Sequence, residues 1–487
     1  MEKIVHTFLW HARSGAVYCS LLLAAGCGLA GCASVPDLGP LPSLHGSTQL
    51  QSTHSLAGNA ASWAEPQWWT SYGDAQLNRL MAEALANSPD LAMARARILR
   101  AEGYAQQAGA SLLPALEMDS SLSRMKQSYN NGVPKALVPP GFNNASRATL
   151  DFSYEIDFWG KNRAAVAAAT SELAAAQSEA AQSRLLLTSS MAAAYAELAR
   201  LYAVQDCSAQ AVAVRLHSEK LLGDRQQQGL ETMASVSQAQ SRRAAAEAEL
   251  TAAGQAIALQ RNALAALSGS GPDRGLQIGR PVVALSRLQG LPASVPAELL
   301  AHRPDLQAAR WRAEAAARRI DVAHAGFYPN VNLTAFAGGQ ALGSLDLLTR
   351  SGSGIAGIGP AIDLPLFRGG QLEGGYRTAR SEYDMAVASY NQTLIQALHE
   401  VADAITQHHM LAPQLLQRSE SLQAAEQAYR VASERYQGGL ANYLQVLNAE
   451  DSVINARRIL VDLQSQRLVQ DISLIKALGG GYQAEHS

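Results

Sequence analysis

The stretch LDFSYEIDF, residues 150–158, sets Leu150, Phe152, Tyr154, Ile156 and Phe158 against Asp151, Ser153, Glu155 and Asp157. Successive side chains of an extended chain point to opposite faces, so the alternation predicts a strand with one apolar and one acidic face. Upstream, Leu116 and Met118 alternate with Glu117 and Asp119 and supply a partner strand. Downstream the period changes. Residues 161–222 contain no glycine or proline, and alanine fills 15 of the 36 positions from 164 to 199. That predicts a helix over about 161–228, roughly 100 Å long at 1.5 Å per residue. A turn at Gly229 and a second helix to about 268 follow. Ahead of the strands, Ser88-Pro89-Asp90 starts a helix. The serine can cap, proline suits the first helical position, and aspartate complements the positive helix end. This helix stops before Pro114, because the residue preceding a proline is pushed to extended geometry.

The plan occurs twice. SPDLAMARAR from Ser88 is matched by RPDLQAARWR from Arg303, and Pro89 and Pro304 are each followed 25 residues later by a proline, Pro114 and Pro329. AGASLLPAL lies against AHAGFYPNV, Gly229-Leu230 against Gly439-Leu440, Val236 against Val446, and ALSG at Ala266 against ALGG at Ala477. A register held over that span means a tandem duplication. The second copy keeps the helix start with Arg303 in the cap position, a weaker stop than serine. Its strands set Val331, Leu333 and Ala335 against Asn332 and Thr334, then Ile358, Ile362, Leu364 and Leu366 against Asp363. Pro413 is expected to kink or interrupt its first long helix. The division is then a first repeat at 74–270, a linker at 271–289, a second repeat at 290–480 and a tail at 481–487.

Four strands cannot enclose an aqueous lumen. A lipid-facing sheet with open edges is forbidden too, because unpaired backbone groups in hydrocarbon are costly. The sheet therefore packs as a soluble sandwich or closes by association of several chains. Three chains would supply twelve strands, an even number within the range of membrane barrels. In that case Glu117, Asp119, Asp151, Glu155, Asp157 and Asp363 face a pore. Phe158, Trp159, Phe327, Tyr328 and Phe367 fall where strands join helices, the level of membrane-interface aromatics.

The start of the chain favours the membrane. Lys3 and Arg13 precede a short apolar run, 15–30, with the build of an export signal rather than a spanning helix. It ends in Leu29-Ala30-Gly31-Cys32, which resembles a bacterial lipobox, so residues 1–31 are read as a cleaved signal peptide and Cys32 as the lipidated residue. Ala33 in place of aspartate favours delivery to the outer membrane. Residues 32–73, with Pro36, Pro40 and Pro42, read as a lipidated tether, and Trp68-Trp69 as its packing anchor. Cys207 is left without a disulfide partner. A net charge of −2 gives no basic footprint for nucleic acid, and aromatics at 6% are thin material for a large core.

Taken in order, Leu29-Ala30-Gly31-Cys32, WWTSYGDAQL, LLAHRPDLQAA, AGFYPNVNL and LGGGYQ resemble the TolC-type outer-membrane factors, in particular their lipoprotein branch of OprM- and NodT-like efflux components. The resemblance covers the whole mature chain. It implies a mixed α and β membrane protein: a long antiparallel α-helical barrel plus four transmembrane strands per chain, closing as a 12-stranded β-barrel in a homotrimer. It implies outer-membrane lipid around the strands. It also implies a periplasmic adaptor (a membrane fusion protein) and an inner-membrane RND-type or similar pump, for which the trimer is a passive exit duct. Arg225, Gly229 and Leu230, with Arg435, Gly439 and Leu440, are then the adaptor-docking tips. Relatives that close this end use aspartates six or nine residues past the tip glycine. Here those positions are Ser235, Gln238, Gln445 and Asn448, so an aspartate gate is not expected.

No enzymatic chemistry is expected. GSGIAG at 352–357 fits a dinucleotide-binding pattern but precedes a strand rather than a helix. His399 with Asp403, and His408-His409, find no third ligand at zinc spacing. No cofactor or metal is implied. The alternative reading is the outer-membrane duct of a type I protein secretion system. A periplasmic lipoprotein spacer without a pore would have no use for amphipathic strands.

Overall fold

The computed structural model describes residues 34–46, 49–50, 65–130, 132–283 and 302–483. The signal peptide 1–31, Cys32, part of the tether, residues 284–289 of the linker and the last four residues lie outside the described residues.

The duplication is visible in element lengths. The first copy contains α1 (Ala75–Asn87), α2 (Pro89–Ala110), β1 (Ala115–Met125), β2 (Asn143–Glu155), α3 (Lys161–Gln227) and α4 (Met233–Leu267). The second contains α5 (Pro304–Ala325), β3 (Asn330–Leu342), β4 (Gly354–Asp363), α6 (Gln371–Gln437) and α7 (Tyr443–Ala477). Both α2 and α5 have 22 residues, both α3 and α6 have 67, and both α4 and α7 have 35. The expected interruption at Pro413 is absent, and α6 runs through it as one helix. A proline removes a single N–H, a small loss in an element of this length whose buried side chains on either side, among them Ile405 and Leu411, hold it in place. None of the described helices is long and apolar enough to cross a membrane.

Two compact units are present. The first comprises the described residues of 34–43, 99–175 and 310–389, and holds the sheet. Its four strands are antiparallel in the order β1-β2-β3-β4. The GSGIAG stretch leads into β4, as its context requires. Within this unit the tether lies along α6. The Arg380 guanidinium donates to the carbonyls of Gly39 and Pro40, and the Tyr383 hydroxyl donates to that of Pro42 at 3.1 Å.

The second unit comprises the described residues of 44–98, 176–309 and 390–483. Trp68 (1% exposed), Trp69 and Tyr72 sit with Leu77, Leu80 and Tyr195 in its largest apolar cluster, so the tryptophan pair anchors the chain ahead of α1 by burial. Asp74 caps α1 through the backbone N–H groups of Gln76 and Leu77 and accepts the Tyr195 hydroxyl at 2.7 Å. The Tyr72 hydroxyl donates to Asp471 at 2.6 Å. The first part of the expected linker is packed. Ile278 is 1% exposed, Arg274 bridges to Glu83 at 2.9 Å, and Gly275 approaches the Arg261 carbonyl too closely for any side chain.

The two helix starts are built differently. In the first copy the Ser88 hydroxyl accepts the Leu91 N–H. In the second, Arg303 is buried and ties three helices together. It forks onto Asp305 at 2.6 and 3.0 Å, and its Nη1 donates to Glu400 (2.9 Å) and to the Ala477 carbonyl (2.8 Å).

Candidate functional site

Two surfaces carry the features expected to be functional. The first is the sheet. Its register puts Leu116 opposite Phe152, Phe152 opposite Ala335 and Ala335 opposite Ile358, so Leu116, Met118, Leu150, Phe152, Leu333, Ala335, Ile358 and Ile362 share one face. That face is open: Met118 is 73% exposed, Ile358 79% and Ile362 68%. The opposite face collects Glu117, Asp119, Asp151, Glu155 and Asp363, with Thr149, Ser153, Asn332 and Thr334 between them. Glu117 stands directly opposite Asp151. Arg147 lies on the same face, over the Phe336 ring at 5.7 Å, and that ring covers Gly357, where a Cβ would meet it at 2.7 Å. The acids are partly compensated: Thr149 donates to Asp151 at 2.7 Å, Lys161 pairs with Glu155 at 3.1 Å, and Arg368 with Asp363 at 3.0 Å.

Asp157 is not a strand acid. β2 ends at Glu155, and the Asp157 carboxylate accepts the backbone N–H groups of Asn162 (3.2 Å) and Arg163 (2.9 Å), with the Arg163 side chain beside it. Burial alone would raise its pKa. The donors and the guanidinium outweigh that and hold it below the usual carboxylate range. Its work is to start α3.

The aromatics divide as well. Phe158, Trp159 and Phe367 are exposed by 62%, 52% and 88%. Trp159 stacks on Tyr328 with centroids 4.5 Å apart, and its Nε1 donates to the Pro329 carbonyl at 2.9 Å. Phe327, by contrast, is 7% exposed and packs edge-to-face on Tyr376, so it is a core ring of this unit rather than a surface one.

The second surface is the pair of turns closing α3 onto α4 and α6 onto α7. Each is built from the same atoms. Leu230 N–H donates to the Arg225 carbonyl and Gly229 N–H to that of Gln226. Leu440 and Gly439 repeat this onto Arg435 and Tyr436. Two such bonds close a helix only when the glycine takes positive φ, here 76° and 73°. Thr232 and Asn442 then cap the returning helices. The turns leave Leu230 (61%) and Leu440 (73%) pointing outward. Arg435 is exposed, whereas Arg225 lies over the Tyr436 ring at 4.7 Å, and the Tyr436 hydroxyl donates to Glu231 at 2.7 Å. Burial and the neighbouring carboxylate keep that phenol protonated.

The outer membrane efflux protein pattern matches residues 80–270 and 295–480. The chain belongs to the outer membrane efflux protein family. Multidrug resistance outer membrane protein MdtP of Shigella flexneri is 33% identical over 486 residues, covering 96% of each chain. Toluene efflux pump outer membrane protein TtgF of Pseudomonas putida is 30% identical over 479 residues, 95% of this chain and 96% of TtgF. The crystal structure of the outer membrane protein VceC from Vibrio cholerae is 50% identical, with a TM-score of 0.82, covering 86% of this chain and all of that one. The protein is thus an outer-membrane efflux component of TolC type, as the sequence resemblance implies.

Against this family background, the residues to which sequence reading gives no role are those between helices above the tips. Arg215 on α3 and Arg242 on α4 both reach Asp451 on α7, at 3.1 and 2.5 Å, and Arg243 pairs with Glu219 at 2.5 Å. The buried Glu450 accepts the Ser218 hydroxyl at 3.0 Å. Partners 24 to 236 residues apart leave no local pattern, and only the duplicated glycine turns could have pointed there.

Proposed function

We propose that three copies of this chain close their sheets into one twelve-stranded barrel in the outer membrane and act together as a passive exit duct. The observation that carries the reading is the sheet of the first unit, whose apolar face is uncovered while β1 and β4 remain unpaired at its edges. In lipid such edges must be paired, and neighbouring copies supply the missing strands. Glu117, Asp119, Asp151, Glu155 and Asp363 then face the lumen and favour cations, with Arg147 as a local counterweight. Trp159 and Tyr328, with Phe158 and Phe367, sit at the membrane interface.

Cys32 carries the lipid that holds the tether. Leu230 and Leu440, exposed on rigid glycine turns, meet a periplasmic adaptor that brings an inner-membrane pump of the resistance-nodulation-division or a similar type. The names of MdtP and TtgF support drugs or aromatic solvents as the exported class. The test is photo-crosslinking in cells from a probe replacing Leu440. Capture of the adaptor of a proton-driven pump is expected. Capture of an adaptor from an ATP-driven secretion system would reassign the duct to protein export, and no capture from an intact trimer would remove the docking role from the turn.

A further inference from the structure

GSGIAG, 352–357, leads into β4 rather than a helix, so its glycines need another explanation. Gly352 takes positive φ, but Gly357 does not, and its backbone would accept a side chain. What refuses one is space: a Cβ there would meet the Phe336 ring at 2.7 and 2.9 Å. Two residues along the same face, Gly359 has nothing within 4 Å of the same added atom.

Phe336 is itself out of place. Among the described strand residues it is the one aromatic ring on the polar face, since Phe152 and Tyr154 stand on the apolar one. Its row across the four strands reads Glu117, Asp151, Phe336, Gly357, so neither lipid nor a protein core accounts for it. The ring leans onto β4 through the gap that Gly357 leaves, and the Arg147 guanidinium stands over it at 5.7 Å, within cation–π reach. A β-carbon at 357 would lift the ring off β4. Asp151 stands on the β2 side, which leaves the open side of the face for the ring to turn into.

We propose that Gly357 and Phe336 together set the bore of the duct at the sheet: the glycine gives the ring a place to lie, and so keeps the polar lumen clear for bulky molecules. This rests on the barrel reading above, in which the row recurs three times around one lumen. A side chain at 357 would then raise three rings at one level.

Size-graded labelling in intact cells tests it. In a Cys207→Ser background, Ser153→Cys puts a thiol on the polar face, one row past Phe336 on the helix side. It is offered a small impermeant maleimide, or a maleimide carrying a polyethylene glycol chain too large for porins. Only the heat-resistant trimer band is read, so yield does not enter. Both reagents should label the Ser153→Cys parent. Gly357→Ala should lose polymer labelling and keep the small reagent, while Gly359→Ala keeps both. Adding Phe336→Ala to Gly357→Ala should restore the polymer. Polymer labelling unchanged in Gly357→Ala would overturn the proposal and leave the ring a mere prop for the glycine. So would equal loss in Gly359→Ala, or a loss that Phe336→Ala does not restore. Absence of any trimer in Gly357→Ala would overturn it as well, because the ring would have no open side to turn into. A parent labelled by the small reagent alone would do the same, since the bore would be narrow with the ring flat. Labelling by neither reagent would remove the shared barrel itself, and the proposal with it.

Discussion

Arg303 shows why RPDL in the second repeat is more than a helix start. Its guanidinium is buried against Asp305, Glu400 and the Ala477 carbonyl, so Arg303→Ala strands two carboxylates and a carbonyl. Removing one partner of such a cluster costs about 3–5 kcal/mol, and a lysine, lacking the fork, should recover little of it. Urea unfolding followed by circular dichroism measures both. Glu450 gives a pH signature. Burial raises its carboxyl above the ordinary range, while Ser218, Arg215 and Arg242 pull it back and Asp451 pushes it up. A raised folded pKa means stability present at acid pH and lost as pH rises through the raised value. Wild type should therefore lose stability across that window relative to Glu450→Gln, and parallel curves for the two would contradict it. Neither group was legible as such. Arg303 read as a poor cap, because two of its partners, Glu400 and the Ala477 carbonyl, lie 97 and 174 residues away. Asp157 read as a strand acid, because period-two alternation runs straight into the cap of α3 and the two patterns share that residue.

Among the elements, the strands and tip turns were legible and the ends were not. Alternation placed five of six acids on one face, since a two-residue period cannot slip without exchanging the faces. The same geometry predicts a sharp asymmetry. Ile358→Lys on the apolar face should cost about 2–4 kcal/mol at mid-membrane depth, while Thr334→Lys on the polar face should be tolerated. The fraction of heat-resistant oligomer on gels reads this out, and equal loss from both variants would reverse or erase the face assignment. At the turns, Gly439→Ala forces a side chain into φ 73° and should destabilise the hairpin by about 1 kcal/mol or more, although nothing lies within 4 Å of the added carbon. The continuous passage of α6 through Pro413 was not legible, because local preference yields there to the packing of a very long helix.

At the scale of the molecule, the duplication explains why the two halves build matching hairpins and matching pairs of strands. It leaves one sheet with two free edges, and the proposed duct exists only if copies of the chain close it. Lipid attachment is a separate matter: Cys32→Ser should abolish palmitate labelling and leave uncleaved precursor. Closure itself is tested most directly by disulfide trapping in cell envelopes. In a Cys207→Ser background, one cysteine on β1 is combined with a series of single cysteines along β4. β1 and β4 are opposite edges of one sheet, so a bond between them joins different copies. The expected result is a covalent ladder that ends at three chains, strongest at one register. No β1–β4 bond at any register, in protein that is folded and exported, would contradict the shared barrel.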